Sequence, residues 1–163
     1  MNLNILLLAA LCLQTTSVAP TGGPVDDPPA VCDSCEGWNK SQTPFRLHGR
    51  SYYVGVRGLS SVLIQTSDGL ILLDGGLPQS APLIEANIRS LGFRVEDIKL
   101  ILNSHAHYDH AGGLARLQRD SGSIVAASPA GAQALLSGRP VPEDPQYNEG
   151  KDGGFPRVRR VNE

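Results

Sequence analysis

The sequence predicts an α/β or α+β domain in which helices cover one face of a mixed sheet. Two patterns favour this fold: a run of short strands joined by tight turns, and after it an alternation of helices with strands. The composition agrees, because 18 glycines and 12 prolines among 163 residues favour many short elements over a helical bundle. The length is that of one domain of ordinary size.

The strands come first along the domain. Short runs of apolar and β-branched residues that end in turns predict four of them, at residues 45–48, 52–57, 62–66 and 70–73. The segment Ser67-Asp68-Gly69 has the composition of a hairpin turn between the third and fourth strands. After the fourth strand, the two glycines that follow Asp74 allow the chain to leave the sheet.

From Ser80 onward the apolar residues recur at helical spacing. Ser80 can cap a helix that has Pro82 in its first turn and Gly92 just past its end. Its apolar positions are Ala81, Ile84, Ile88 and Leu91. The same reasoning predicts strands at 98–102 and 124–127, helices at 113–119 and 130–136, and the start of a strand at 158–161. Residues 138–156 form a long loop rich in proline, glycine and aspartate, and we expect its part from about Val141 to Phe155 to be mobile.

Charge and composition exclude two classes of protein. With 14 basic and 16 acidic residues the net charge is −2, which provides no basic surplus for binding nucleic acid. A hydrophobic fraction of 40% and a charged fraction of 18% exclude charge-driven disorder. We therefore expect a globular domain that does not bind nucleic acid.

The N-terminus has the pattern of a secretory signal. Residues 5–13 read ILLLAALCL, which has the length of a signal h-region and is too short to span a bilayer. Ser17 and Ala19 are small residues at the positions that precede a cleavage site. We predict a signal peptide at 1–19, a linker-like segment at 20–37, and a periplasmic or secreted protein that is free of the membrane after cleavage. The alternative is that the apolar run belongs to the folded core.

Cleavage after Ala19 would leave two cysteines, Cys32 and Cys35. A Cys-x-x-Cys pair can be a redox pair, half of a zinc site or a local disulfide. The absence of a second such pair and the predicted export favour a disulfide in an oxidising compartment. Because it closes a very short loop, it should add little stability.

Three of the four histidines fall within six positions, in the segment HAHYDH that follows the strand at 98–102. In an extended stretch the side chains at i and i+2 point the same way, so His105 and His107 can face one metal ion. Asp109 and His110 can supply a carboxylate and an imidazole to a second ion. These donors suit zinc, with iron or manganese as alternatives. His48 stands alone and is interpreted as a surface or structural residue.

The segment HAHYDH resembles the His-x-His-x-Asp-His motif of the metallo-β-lactamase superfamily. From Trp38 to the end, the chain is similar to class B β-lactamases of the third subclass, most clearly in YYVGVRGLSSVLIQTSDG, LLDGGLPQSAP and ILNSHAHYDHAGGLARLQ. The short motif is shared with thioesterases, lactonases, sulfatases and nucleases. The flanking LLDGGLPQSAP and NSHAH favour the β-lactamase branch. Residues 38–163 are therefore identified as a metallo-β-lactamase domain.

The resemblance implies a fold and a site. The fold would be the N-terminal half of a four-layer αββα sandwich, and the reaction would be hydrolysis of the β-lactam ring of antibiotics with two zinc ions per intact site. His105 and His107 would bind the first zinc, and Asp109 and His110 the second, with Asp109 also acting in catalysis by orienting the nucleophile. Asp74 would support a ligand, since metal-bound histidines usually donate their other N–H to an acceptor. Otherwise Asp74 is a turn residue.

The resemblance also implies that the long loop borders the active-site groove, which makes Tyr147 and Phe155 candidate substrate contacts. In the family each zinc receives a further histidine from the C-terminal half, and this sequence has no histidine after His110. We therefore expect the 163 residues to be part of a longer domain and to be poorly active alone. Two alternatives stay open: another hydrolase of the superfamily, acting on a lactone, thioester or sulfate ester, and a non-catalytic truncated product.

Overall fold

The computed structural model describes residues 27–148 and 154–163. Within these ranges seven strands form one mixed sheet, in chain order from β1 to β7. The first four strands are antiparallel neighbours, and β4 to β7 run parallel. Their bounds are β1 Phe45–His48, β2 Ser51–Tyr53, β3 Val62–Gln65, β4 Leu70–Leu73, β5 Ile98–Leu102, β6 Ile124–Ala126 and β7 Val161–Asn162. The predicted α/β fold with a mixed sheet is confirmed.

The helices of the described ranges are α1 Cys35–Trp38, α2 Ala81–Ser90, α3 Tyr108–Ala111, α4 Leu114–Ser121 and α5 Pro129–Ser137. The helical spacing of apolar residues predicted α2, α4 and α5. It missed α1 and α3, because each has only four residues and so shows no helical repeat. The predicted signal peptide lies outside the described residues. None of the helices in the described part of the chain is long and apolar enough to cross a membrane.

One face of the sheet forms the main core with the helices. The row of facing strand residues across it is fully apolar apart from one tyrosine hydroxyl: Tyr52, Leu63, Leu72, Ile101 and Val125. All five are buried, and they belong to the same cluster as Ile84 and Ile88 of α2 and Leu114 and Leu117 of α4. Burial of this face by α2 and α4 is what attaches the helices to the sheet.

The other face of the sheet is also apolar but only partly buried. Two rows of facing residues run across it: Val62, Leu73, Leu102 and Ala126, and beside them Ile64, Ile71, Leu100 and Ile124. Strands that are apolar on both faces are typical of a sheet packed between two layers. The described residues supply such a layer on one face, in agreement with half of a sandwich.

The described part of the segment 20–37 is packed against the domain, although its composition is linker-like. The predicted disulfide between Cys32 and Cys35 is present, and Cys35 is buried beside Val56, Leu59 and Leu77. The backbone N–H of Ala30 donates to Oε1 of Gln79, and Nε2 of Gln79 donates back to the Ala30 carbonyl, each at 2.9 Å. Apolar contacts and these paired hydrogen bonds therefore hold this segment against the domain, although its composition alone predicts a linker.

The structure differs from the predictions at three places: the end of β2, the cap of α2, and β7, which covers Val161–Asn162 rather than beginning at residue 158. β2 ends at Tyr53 rather than at residue 57, because the N–H of Val54 donates to Ser61 and closes a tight loop. The Ser80 hydroxyl does not cap α2. It accepts from the N–H of Leu77 at 3.1 Å and donates to Oδ1 of Asn39 at 2.6 Å. Ser80 therefore joins the segment after β4 to the residue that follows α1.

Candidate metal centre

The HAHYDH segment lies at the carboxyl end of β5, beside the carboxyl end of the parallel strand β4. His105 and His107 lie in the loop after β5, and Asp109 and His110 lie in the single turn of α3. Asp74 follows β4 directly, and its N–H donates to the carbonyl of Leu102 at 2.9 Å. Functional side chains commonly collect at this edge of a parallel sheet.

The structure brings all four predicted metal ligands together. One ligand atom from each of His105, His107 and Asp109 lies within 4.8 Å of the other two. The ring of His110 is centred 3.9 Å from that of His105, and its Nε2 is 3.8 Å from Oδ2 of Asp109. His48 lies at the exposed end of β1 and is not part of this group.

The donor set fits a metal ion of the zinc type. Imidazole nitrogens and a carboxylate oxygen are the ligands that zinc prefers when no thiolate is present. His105 is exposed, while His107 and Asp109 are half-buried, so solvent can reach the group. A site of this kind leaves room for water or a substrate beside the protein ligands, as catalytic metal sites do.

Asp74 is held against His110 by several hydrogen bonds. Its side chain is 8% exposed, and its Oδ2 lies 2.9 Å from Nδ1 of His110. Ser104 donates its N–H to Oδ1 at 2.8 Å and its hydroxyl to Oδ2 at 2.6 Å, and Asn103 donates to Oδ1 at 3.2 Å. The backbone of Asp74 has a φ of 57°, a conformation that aspartate tolerates better than most residues. With Nδ1 facing Asp74, the Nε2 atom of His110 is left for a metal.

The pKa values follow from these contacts. Burial opposes ionisation of Asp74, but hydrogen bonds from His110 and Ser104 outweigh it, so the pKa of Asp74 lies below its ordinary value. The hydrogen bond to Asp74 raises the pKa of His110 against the effect of burial. Burial and the neighbouring His110 and His107 lower the pKa of His105. At neutral pH this favours a neutral His105 with a lone pair available to a metal.

The glycines after the motif allow close contact with the segment that follows β4. A Cβ at Gly113 would lie 2.3 Å from the carbonyl oxygen of Gly75, and one at Gly112 would lie 2.4 Å from Cδ of Pro78. The N–H of Gly113 donates to the Gly76 carbonyl at 3.1 Å. This approach places the backbone of the metal-binding turn directly on the segment that carries Asp74.

We expect Gly113→Ala to lower the free energy of unfolding by about 1–3 kcal/mol, because a backbone atom must move to admit the new methyl group. Urea denaturation followed by circular dichroism measures the change. Gly37→Ala in α1 is the matched control, since a Cβ there meets nothing within 4 Å. Equal losses in the two variants would contradict this account of the Gly113 contact.

Sequence reasoning missed one residue beside the centre, Asp144. Its two carboxylate oxygens lie 3.0 and 2.9 Å from Nε2 of His107. The residues around it in the sequence give no signal of a partner 37 positions away. Tyr147, a candidate substrate contact, lies in the short 3-10 helix Pro145–Asn148 that follows Asp144, and it is 36% exposed. It stays a candidate.

The structure does not support Phe155 as a substrate contact. Its side chain is 7% exposed and belongs to the main core, and its N–H donates to the Gly138 carbonyl at 2.9 Å. Phe155 also borders a cavity of about 610 Å³ with Pro78, Ala115 and Arg119, whose lining contains none of the predicted ligands. The resemblance predicted that Phe155 faces the active-site groove, but its ring lies in the core. Of the predicted mobile loop, residues 149–153 lie outside the described ranges.

Comparison with known proteins identifies the family. The family model of the metallo-beta-lactamase superfamily matches residues 54–159, which include the whole candidate centre. The chain belongs to the metallo-beta-lactamase superfamily.

Several solved metallo-beta-lactamases have the same fold. The Rm3 metallo-beta-lactamase is 57% identical, with a TM-score of 0.77, over 81% of this chain and 48% of that chain. MEM-A1, a subclass B3 enzyme from a soil metagenome library, is 54% identical, with a TM-score of 0.73, over 77% of this chain and 47% of that one. A B3 metallo-beta-lactamase that has an active-site glutamic acid is 46% identical, with a TM-score of 0.80, over 86% of this chain and 52% of that one. The chain thus spans about half the length of these metallo-beta-lactamases.

A more distant similarity links this chain to lactonases. An N-acyl homoserine lactonase of Bacillus cereus is 32% identical over an alignment that covers 31% of this chain and 30% of the lactonase. The resemblance found in the sequence, to class B β-lactamases of the third subclass, is confirmed by the B3 structures.

Proposed function

We propose that this chain carries part of the active site of a zinc-dependent β-lactamase that would confer resistance to β-lactam antibiotics. The observation that carries the proposal is the cluster of His105, His107, Asp109 and His110 at the carboxyl end of β5. The cluster lies in a chain that is more than half identical to two solved metallo-beta-lactamases over most of its length. The substrate would be a small-molecule β-lactam.

We assign the four side chains to two zinc ions. His105 and His107 would hold the first ion, and Asp109 and His110 the second. When bound, zinc lowers the pKa of a coordinated water and polarises a carbonyl oxygen. The ring contact between His105 and His110 keeps the two pairs adjacent.

The protein groups around the ligands would orient the reaction. The side chain of Asp109 is 24% exposed, so an oxygen of its carboxylate can accept a hydrogen bond from the attacking water and orient that water. Asp74 keeps the proton of His110 on Nδ1, so that His110 presents Nε2 to the second ion. Neither role requires a nucleophilic side chain.

The compartment is part of the proposal. A signal peptide at residues 1–19 would export the protein to the periplasm or the medium. The Cys32–Cys35 disulfide supports an oxidising compartment. After cleavage of the signal we expect no attachment to the membrane and no binding to nucleic acid.

Removal of metal is the direct test of the reaction. We expect the enzyme that contains these residues to hydrolyse a chromogenic cephalosporin, to lose the activity on dialysis against a chelator, and to regain it on addition of zinc. Full activity in protein that mass spectrometry shows to be free of transition metal would contradict the proposal.

The lactonase similarity favours a second candidate, hydrolysis of a lactone. The same metal centre would attack an ester carbonyl in place of an amide. Parallel assays with a cephalosporin and an N-acyl homoserine lactone separate the two. Lactone hydrolysis without measurable cephalosporin hydrolysis would replace the first proposal with the second.

A further inference from the structure

The side chain of Asp144 contacts the candidate metal centre, although Asp144 lies 37 positions from His107 in the sequence. It lies between α5 and the turn Pro145–Asn148, and its two oxygens are 3.0 and 2.9 Å from Nε2 of His107. The two side chains have relative exposures of 25% and 22%, so water can reach the contact only in part. This is a second carboxylate–histidine pair beside the one formed by Asp74 and His110.

The position of the carboxylate is defined by its own backbone. The N–H of Gln146 donates to Oδ1 of Asp144 at 2.8 Å, and the N–H of Asp144 donates to the Val141 carbonyl at 2.9 Å. The Tyr147 N–H donates to the Asp144 carbonyl, which closes the turn. These bonds direct the carboxylate at His107 without depending on the rest of the long loop.

The contact selects which nitrogen of His107 can bind a metal. A neutral imidazole has one N–H and one lone pair, and a carboxylate accepts only from the N–H. With the proton of His107 on Nε2, the lone pair is on Nδ1. The ring of His107 lies edge-on to that of His105, with centroids 4.7 Å apart.

We propose that Asp144 is a positioning residue for the metal centre: by accepting the Nε2–H of His107, it directs Nδ1 of His107 to the metal and ties residues 141–148 to the site. The inference rests on the proposed function, because it requires a metal ion at His107. Asp144 contributes no ligand of its own in this role. It acts through the orientation and basicity of His107.

Zinc affinity of the full chain tests the proposal, measured by competition with a chromophoric chelator. Loss of such a partner weakens metal binding by about 10–100-fold, which we expect for Asp144→Ala. Asp144→Asn keeps an oxygen that can accept a hydrogen bond from Nε2 of His107, so its zinc affinity should fall less than that of Asp144→Ala. Glu143→Gln is the matched control, because it removes the same charge from the neighbouring exposed position and should change the affinity by less than about twofold.

A second measurement needs no metal. In zinc-free protein, ¹⁵N NMR of the imidazoles should show a His107 Nε2–H that exchanges slowly with water in the wild type and in Glu143→Gln, and rapidly in Asp144→Ala. Equal zinc affinities of the wild type and Asp144→Ala, or equal exchange rates, would overturn the inference alone. A wild-type chain that binds no zinc would contradict the proposed function as well, whereas lost affinity in Glu143→Gln too would assign the effect to charge and overturn the positioning role.

Discussion

Replacing His107 by alanine is expected to lower β-lactam hydrolysis by at least about a hundredfold. Loss of a residue that only supports a ligand already weakens metal binding by about 10–100-fold, so loss of a ligand should cost more. In addition, a misplacement of about 1 Å at a reacting centre can reduce the rate by about a hundredfold. His107 contributes one of the three atoms that lie within 4.8 Å of one another, so its removal affects both metal binding and geometry.

The measurement combines zinc content by mass spectrometry with the rate on a chromogenic cephalosporin. His48→Ala is the matched control, because His48 lies at the exposed end of β1 outside the cluster and its loss should change neither quantity. If the His107→Ala enzyme keeps both its zinc content and its hydrolysis rate, His107 is not a ligand of the metal centre.

Local patterns in the sequence predicted most of what positions this centre. The alternation of the strands, the turn at Gly69 and the helical spacing from Ala81 each depend on near neighbours, and the structure contains the corresponding elements. The cluster itself was predictable because its four ligands fall within six positions after one strand. Asp74 was found through the family resemblance, since 29 positions or more separate it from Asn103 and from His110.

The rest could not be predicted because it depends on contacts between distant segments. Nothing near Asp144 in the sequence indicates a bond to His107. Phe155 was predicted to contact the substrate because its loop borders the groove in the family, and only the packing of the loop on the core shows that its ring is buried. The segment around Ala30 was interpreted as a linker because of its composition, and the glutamine that holds it lies 49 positions away in the sequence.

Burial of a charged pair between α2 and α4 leads to the largest expected effect on stability. Glu85 is 2% exposed and Arg116 7%, and Nε of Arg116 lies 3.2 Å from Oε1 of Glu85. Arg116 also contacts Asp120 at 3.4 Å, and Arg89 contacts Glu85 at 3.4 Å from a more exposed position. Since α4 begins directly after Gly113, this pair anchors the helix that follows the metal-binding turn.

We expect Arg116→Met to lower the free energy of unfolding by about 3–5 kcal/mol, because it leaves a buried carboxylate without its main partner. The double variant Glu85→Met, Arg116→Met should recover much of the loss, since two apolar side chains of similar volume need no partner. Arg94→Ala is the control: it removes an exposed pair, Arg94 with Glu96 at 3.7 Å, which is worth at most about 1 kcal/mol. Urea denaturation compares the four proteins.

The pH dependence of the free energy of unfolding distinguishes an unpaired buried charge from a packing defect in Arg116→Met. Burial raises the pKa of the Glu85 carboxyl above its ordinary value even with Arg116 in place, and loss of Arg116 should raise that pKa further. The folded protein then binds a proton more readily than the unfolded chain, so stability is greatest below the unfolded pKa and is lost as the pH rises through the folded one. The free energy of unfolding of Arg116→Met should therefore be closest to that of the wild type at acidic pH, and the difference should increase toward neutral pH. If the two proteins differ in free energy of unfolding by the same amount at every pH, lost packing, and not the unpaired Glu85 carboxylate, causes the destabilisation.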